Sequence, residues 1–143
     1  MSEFVLPGYT VLMSVYKNDK AEYLDAAIDS MVGQTVAPHD YVVVCDGPLT
    51  AELDVCLEGW EERLGSALNV VRLVENHGLG YALNAGLREC GCDVVARMDA
   101  DDISRPSRCE VLLSKMVSER LDLVGGAIEE FDREPGDMGA VRM

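Results

Sequence analysis

The hydrophobic period of this chain switches repeatedly between strand-like alternation and helix-like spacing, and that switching narrows the fold more than any other feature. Tyr9 to Val15 is a β-rich run bounded by Pro7-Gly8 and Lys17-Asn18-Asp19. Leu24, Ala27, Ile28, Met31 and Val32 then fall on one face of a helix that ends near Gly33. Tyr41 to Cys45 is a continuous apolar run, suited to a strand covered on both faces. Leu53, Cys56, Leu57, Trp60 and Leu64 predict a second helix stopped by Gly65, and Leu68 to Val74 a third strand. Leu79, Ala82, Leu83, Leu87 and Cys90 predict a third helix, and Asp93 to Met98 a fourth strand. Pro106 suits a first helical turn, Ser107 and Glu110 have capping-box spacing, and Leu112, Leu113, Met116 and Val117 supply the next apolar face. Leu121 to Ile128 reads as a last strand, followed by a polar, irregular stretch from Glu129 to Met143.

Strands that alternate with helices build right-handed βαβ units, so the fold class is α/β with a mainly parallel sheet. At 143 residues with 48% apolar content the chain is predicted to form one domain with its own core. The charge of −14 argues against nucleic acid and anionic membrane surfaces, whose phosphates need cationic side chains. A phosphate ligand that arrives with a metal ion escapes that argument. No apolar run approaches the roughly 20 residues of a membrane helix. Five cysteines (Cys45, Cys56, Cys90, Cys92, Cys109) read as reduced thiols of a cytoplasmic protein. Cys90-Gly91-Cys92 has the wrong gap for paired zinc ligands, and only His39 and His77 are available to join it, so no zinc centre is expected.

Ligands of parallel sheets gather outside the carboxyl ends of the strands. Here those ends are Val15-Tyr16-Lys17, Cys45-Asp46-Gly47, Glu75-Asn76-His77-Gly78 and Asp99-Ala100-Asp101-Asp102. Three carboxylates within four residues repel one another and call for a counter-charge. A hard divalent cation is one source, an Asx-rich solvated turn is the plain alternative, and ion pairs with Arg97, Arg105 or Arg108 are a third. Asp46 is either loop chemistry before Gly47-Pro48 or an acceptor for the ring N–H of a base such as uracil. The backbone of Ser14, Val15 and Tyr16 runs out of ladder partners where a base could take it up, with Tyr16 placed to stack. Gly78-Leu79-Gly80 opens a helix whose N-terminus favours anions, although the third glycine of a dinucleotide fingerprint is missing. His77 reads as a helix-entry residue and Asn84 as an aid to close packing.

Taken together, Tyr9-Thr10-Val11-Leu12-Met13-Ser14-Val15-Tyr16, Cys45-Asp46-Gly47-Pro48, Glu75 to Asn84, Ala96 to Ile103 and Arg105-Pro106-Ser107-Arg108 resemble the family 2 glycosyltransferases. The resemblance covers nearly the whole chain, and four motifs in order at successive strand ends are far more specific than any one. It implies a Rossmann-like GT-A fold, a three-layer α/β/α arrangement around a mainly parallel sheet, with residues 1–143 as a single nucleotide-diphospho-sugar-binding domain. The donor site it implies comprises Ser14, Val15, Tyr16, Asp46, Gly78, Asp99, Ala100 and Asp101, with a UDP-sugar favoured. Asp99 and Asp101 would form an Asp-x-Asp motif that holds Mn or Mg on the diphosphate, the first carboxylate reaching the ribose or a water on the metal. Sugar transfer would proceed with inversion to a saccharide or lipid-linked acceptor. Where many members carry two consecutive acids, this chain has Cys45-Asp46. The catalytic base of the family is expected beyond residue 143, since Glu129, Glu130 and Asp132 come too early. The chain therefore reads as the donor half without the acceptor half, cytoplasmic and peripheral to the membrane in the full-length enzyme. Its last strand would offer an unpaired edge to a homodimer. A non-catalytic nucleotide-sugar-binding module is the alternative. A haloacid-dehalogenase-like phosphatase fits poorly, because its nucleophile belongs after the first strand.

Overall fold

The computed structural model describes residues 6–119 together with the two short strands at residues 128–129 and 141–142. Its centre is a wholly parallel four-stranded sheet formed by β1 (Tyr9–Val15), β2 (Asp40–Cys45), β3 (Leu68–Arg72) and β4 (Val94–Asp99). The spatial order is β3-β2-β1-β4, so the chain winds outward from β1 in one direction and then crosses back to its other side.

Period-2 alternation sends successive β1 and β2 side chains to opposite faces. Val11, Met13, Val15, Tyr41, Val43 and Cys45 join a core with α1 (Ala21–Val32), α2 (Ala51–Leu64) and α4 (Arg108–Glu119). Leu12, Val42 and Val44 face the other way, onto Ala82 of α3 (Leu79–Leu87). These are the three layers that the resemblance implies, around the parallel sheet that the alternating pattern predicts. Thr50 caps α2 by accepting from the Leu53 N–H, and Gly65 ends that helix with φ +58°.

Close approach of α3 to the sheet comes from Gly86, whereas Asn84 is exposed and has no part in it. A Cβ on Gly86 would sit 2.6 Å from Val44 Cγ2 and run into Leu12 Cδ1. Gly86→Ala is therefore expected to lower stability by about 1–3 kcal/mol through overpacking, although alanine is the better helix former. Chemical denaturation measures it.

Boundaries differ from the sequence reading in instructive places. The third strand stops at Arg72 because its partner β2 ends at Cys45, and Val74 is left 92% exposed. The fourth strand runs one residue further, bringing Asp99 into register opposite Ser14. α3 stops at Leu87, short of Cys90. α4 begins at Arg108, so Pro106 lies before the helix, and Glu110 accepts from the Thr35 hydroxyl at 2.6 Å. Most of the strand expected over 121–128 lies outside the described residues. Ile128, the end of that expected strand, is in a strand with Glu129, and the two pair antiparallel with Val141–Arg142, where irregular chain is expected from Glu129 onward. All five cysteines are free; Cys45 and Cys109 are buried, and burial pushes the Cys45 thiol up to about 11. Among the described residues, no helix is long and apolar enough to cross a membrane.

Candidate functional site

The change of winding direction puts the topological switch point between β1 and β4, and in open α/β sheets ligands gather outside the carboxyl ends of the strands at that point. Register fixes what meets there: Ser14 stands opposite Asp99. Beyond Asp99 the chain turns, with the Asp102 N–H donating to the Asp99 carbonyl at 3.1 Å and the Asp99 N–H donating to Asp102 Oδ2 at 3.3 Å. Ala100 is buried in the main core, which leaves Asp99 and Asp101 on either side of it exposed at the rim. Oxygens of Asp99, Asp101 and Asp102 all lie within 4.8 Å of one another.

Another carboxylate lies in the turn after β1. Asp19 closes a turn on Tyr16, its Oδ2 accepting from the Tyr16 N–H at 2.9 Å while its own N–H donates to the Tyr16 carbonyl at 3.0 Å. Partial desolvation, and then the negative charges of Asp101 and Asp99, push the Asp19 carboxyl up. Desolvation, with the charges of Asp99 and Asp101, does the same to Asp102, against the hydrogen bond from the Asp99 N–H and a smaller pull from Arg108. Arg97 reaches Asp99 only at 3.4 Å, and both side chains are about half exposed, so this pair does little to offset the crowding. Clustered, exposed and oxygen-only donors of this kind fit a hard divalent cation such as Mg or Mn.

The strand-end backbone departs from expectation. The Val15 carbonyl accepts from the Asp46 N–H at 2.8 Å, and both the N–H and the carbonyl of Tyr16 are taken by Asp19. Each of these groups already has a partner in the next turns of the chain, so a base could reach the two carbonyls only by sharing them. What β1 presents at the rim is the half-exposed Tyr16 ring.

Asp46 is 5% exposed, and its two oxygens accept from the His77 N–H at 2.8 Å and the Gly78 N–H at 3.0 Å. The anion drawn to the start of α3 is thus Asp46 itself. Any ring N–H expected to donate to this carboxylate would share it with two amides, which its roughly four lone-pair sites permit. Asn76 Nδ2 donates to the Asp46 carbonyl at 3.2 Å, and Gly47 (φ +91°) lets the two loops close up, since a Cβ there would lie 2.8 Å from Asn76 N. Gly78 holds φ +95°, a conformation essentially reserved for glycine at its ψ of 166°. His77 precedes it and stacks on Tyr81 with ring centres 4.1 Å apart.

At the opposite ends of the strands His39, Asp40 and Cys92 also come within 4.8 Å of one another, while His77 lies elsewhere. Against partial desolvation, hydrogen bonds from Thr10 Oγ1 (2.6 Å), His39 and the Gly91 N–H hold the Asp40 carboxyl below its usual range. With the Cys92 N–H donating to Thr10 Oγ1 at 3.1 Å, this cluster ties the starts of β1, β2 and β4 together.

Sequence reasoning passed over Asp19 and Gln34. Asp19 reads only as a turn residue until β4 is known to pair with β1. Gln34, a lone amide after a helix, is buried beneath the loop that follows the acidic rim.

Comparison with known proteins shows the family and the fold. A family described as glycosyl transferase family 2 matches residues 10–143. UDP-Gal:alpha-D-GlcNAc-diphosphoundecaprenol beta-1,3-galactosyltransferase of Escherichia coli is 36% identical over 137 residues, covering 95% of this chain and 49% of that protein. Amylovoran biosynthesis glycosyltransferase AmsE of Erwinia amylovora is 42% identical over 125 residues, covering 87% of this chain and 46% of that one. The chain spans about half the length of these curated relatives. Among solved structures, mannosyltransferase PcManGT from Pyrobaculum calidifontis in complex with GDP-Man and Mn2+ superposes with a TM-score of 0.66 at 26% identity, over 90% of this chain and 36% of that one. S. aureus TarS 1–349 does so with a TM-score of 0.70 at 20% identity, over 93% and 38% respectively, which bears on fold alone.

Proposed function

This chain belongs to glycosyl transferase family 2, and from that premise we propose that it holds the diphosphate of a nucleotide-sugar donor, with Mn or Mg, on Asp99 and Asp101. The observation that carries the reading is the gathering of the Asp99, Asp101 and Asp102 carboxylates within 4.8 Å of one another at the β1–β4 switch point, with Asp19 close enough to feel the charges of Asp101 and Asp99. Three exposed carboxylates gathered at a rim, with a fourth nearby, are an electrostatic liability unless something positive is held there. Asp99 and Asp101 would hold a divalent cation there, which when bound would supply Lewis-acid stabilisation of the charge on a departing nucleoside diphosphate.

The chain's own residues do the rest. Asp101 and Asp99 fix where the diphosphate lies, Asp99 beside Ser14 reaching toward the ribose. Ala100 anchors the loop in the core and so keeps both carboxylates aimed outward. Tyr16 and the Asp46–Gly78 junction border the base, with Asp46 holding the loop that forms its floor. UDP is the preferred nucleotide, supported by the UDP-Gal in the name of the Escherichia coli relative. The mannosyltransferase from Pyrobaculum calidifontis, in complex with GDP-Man and Mn2+, supports the metal and the donor class. In the whole enzyme the acceptor hydroxyl attacks the anomeric carbon with inversion, and the general base and acceptor site are assigned to sequence beyond residue 143. A diphosphoundecaprenol-linked acceptor, as in the Escherichia coli relative's name, would bring the enzyme to the cytoplasmic membrane surface. The odd set of five cysteines in the sequence is the support for a cytoplasmic location.

Calorimetric titration with UDP, GDP and dTDP, each with and without Mn, tests the proposal. UDP is expected to bind most tightly, and its affinity to fall by at least about tenfold without metal, about 1.4 kcal/mol. Equal affinities with and without Mn would overturn the metal-dependent reading. In a thermal scan, Mn with UDP at roughly a hundredfold excess over the dissociation constant is expected to stabilise the fold by about 2.7 kcal/mol, and chelation to remove most of that.

A further inference from the structure

The acidic loop is fixed on its strand side by β4, and its far side needs another anchor. The geometry points to Gln34 as that anchor: a positioning residue whose buried amide locks the segment following Asp102, and through it the aim of the Asp101 and Asp102 carboxylates. The inference rests on the donor-binding role proposed above.

Gln34 lies just after α1 and is 6% exposed. Its Nε2 donates to the Arg105 carbonyl at 2.8 Å and to the Ser30 carbonyl at 3.0 Å, while its Oε1 accepts from the Cys109 N–H at 2.9 Å. Ser30 belongs to the last turn of α1 and Cys109 to the first turn of α4, positions whose backbone groups lack helical partners. One side chain therefore satisfies the ends of two helices and the loop between Asp102 and α4.

Its neighbours add three bonds of the same kind. The Ser104 N–H donates to Ser30 Oγ at 3.0 Å, the Thr35 N–H to the Pro106 carbonyl at 2.7 Å, and Thr35 Oγ1 to Glu110 Oε1 at 2.6 Å. Residues 104–110 are thus stitched to residues 30–35, starting two positions after Asp102. Within 99–102 the loop has its own two bonds, the long and half-exposed Arg97–Asp99 contact and the burial of Ala100 to hold it. Mutual repulsion of its carboxylates favours splaying, so an external lock is what keeps them gathered for a cation. The base-side residues Tyr16, Asp46 and Gly78 are held by different bonds and do not depend on Gln34.

The test compares wild type, Gln34→Leu and, as a matched destabilising control in α4, Leu113→Ala. Gln34→Glu, which keeps an acceptor for Cys109 but turns a carboxylate on two carbonyls, replaces the leucine variant should that one not fold. Calorimetry reads the affinity for UDP with Mn and for uridine without metal; hydrogen exchange of the Asp102 amide is read in ligand-free protein. Gln34→Leu is expected to lose about tenfold in UDP affinity with Mn, the size of a supporting-residue effect on a metal site. It is expected to keep its uridine affinity and to exchange Asp102 faster, whereas Leu113→Ala keeps both the UDP affinity and the Asp102 protection. Wild-type UDP affinity and Asp102 protection in Gln34→Leu would overturn the inference, as would equal losses in Leu113→Ala. Should wild type itself show no Mn-dependent binding while Gln34→Leu still loosens Asp102, the donor-binding proposal fails and the positioning role stands.

Discussion

Asp101→Ala is expected to lower Mn-dependent UDP affinity by about a hundredfold, about 2.8 kcal/mol, while leaving the affinity for uridine unchanged. The size follows from the loss of a carboxylate that a hard cation would bind directly, a larger effect than the tenfold range of supporting residues. The companion effect has the opposite sign. Asp101 charge helps to push up the carboxyls of Asp19 and Asp102, so its removal relieves repulsion in the ligand-free fold. The thermal midpoint of ligand-free Asp101→Ala is therefore expected to equal or exceed that of wild type. Lost affinity together with unreduced stability separates a ligand role from a structural one. An Asx-rich turn with no ligand would show no change in affinity.

Asp46→Ala is expected to act the other way, through the fold. A buried carboxylate there accepts two charge-assisted bonds from the His77 and Gly78 amides, and no other group replaces it at the start of α3. Bonds to charged groups contribute about 1.5–3 kcal/mol each, and His77 and Gly78, being partly open, regain some of that from water. A net loss of about 3 kcal/mol is expected, seen as a lower denaturant midpoint with an unchanged slope. Asp46→Asn keeps one acceptor oxygen and is expected to lose about half as much. Because the loop under the base is loosened, UDP and uridine affinities should fall together in Asp46→Ala, in contrast with Asp101→Ala. Retained stability in Asp46→Ala would mean that the two amides find other partners.

Much of the scaffold was legible in the residues. Pro7-Gly8 and Lys17-Asn18-Asp19 bracket β1 at its observed limits, and Gly65 marks the end of α2. These are local signals, set by turn chemistry and by the period of apolar side chains. Asp99-Ala100-Asp101-Asp102 was legible as an acidic strand end for the same reason. What stayed hidden depends on neighbours in space. That β4 pairs with β1 is a matter of strand order, which no local pattern encodes, and only that order brings Asp19 to the acidic rim. The partners of Asp46 come from 31 and 32 residues downstream, so a position favouring a ligand contact could not reveal that two amides were already there. Val15 and Tyr16 looked unpartnered because the turns that satisfy them fold back from outside the strand. Gln34 carried no signal at all; its burial and its bonds across 71 and 75 residues exist only in the folded chain.

One diffraction measurement bears most directly on the acidic rim: crystals grown with UDP and Mn, with data collected at the manganese absorption edge. An anomalous peak among the carboxylates of Asp99, Asp101 and Asp102, with diphosphate density beside it, is the expected result. Nucleotide bound elsewhere, or no manganese signal at those side chains while they pair with arginines, would contradict the assignment.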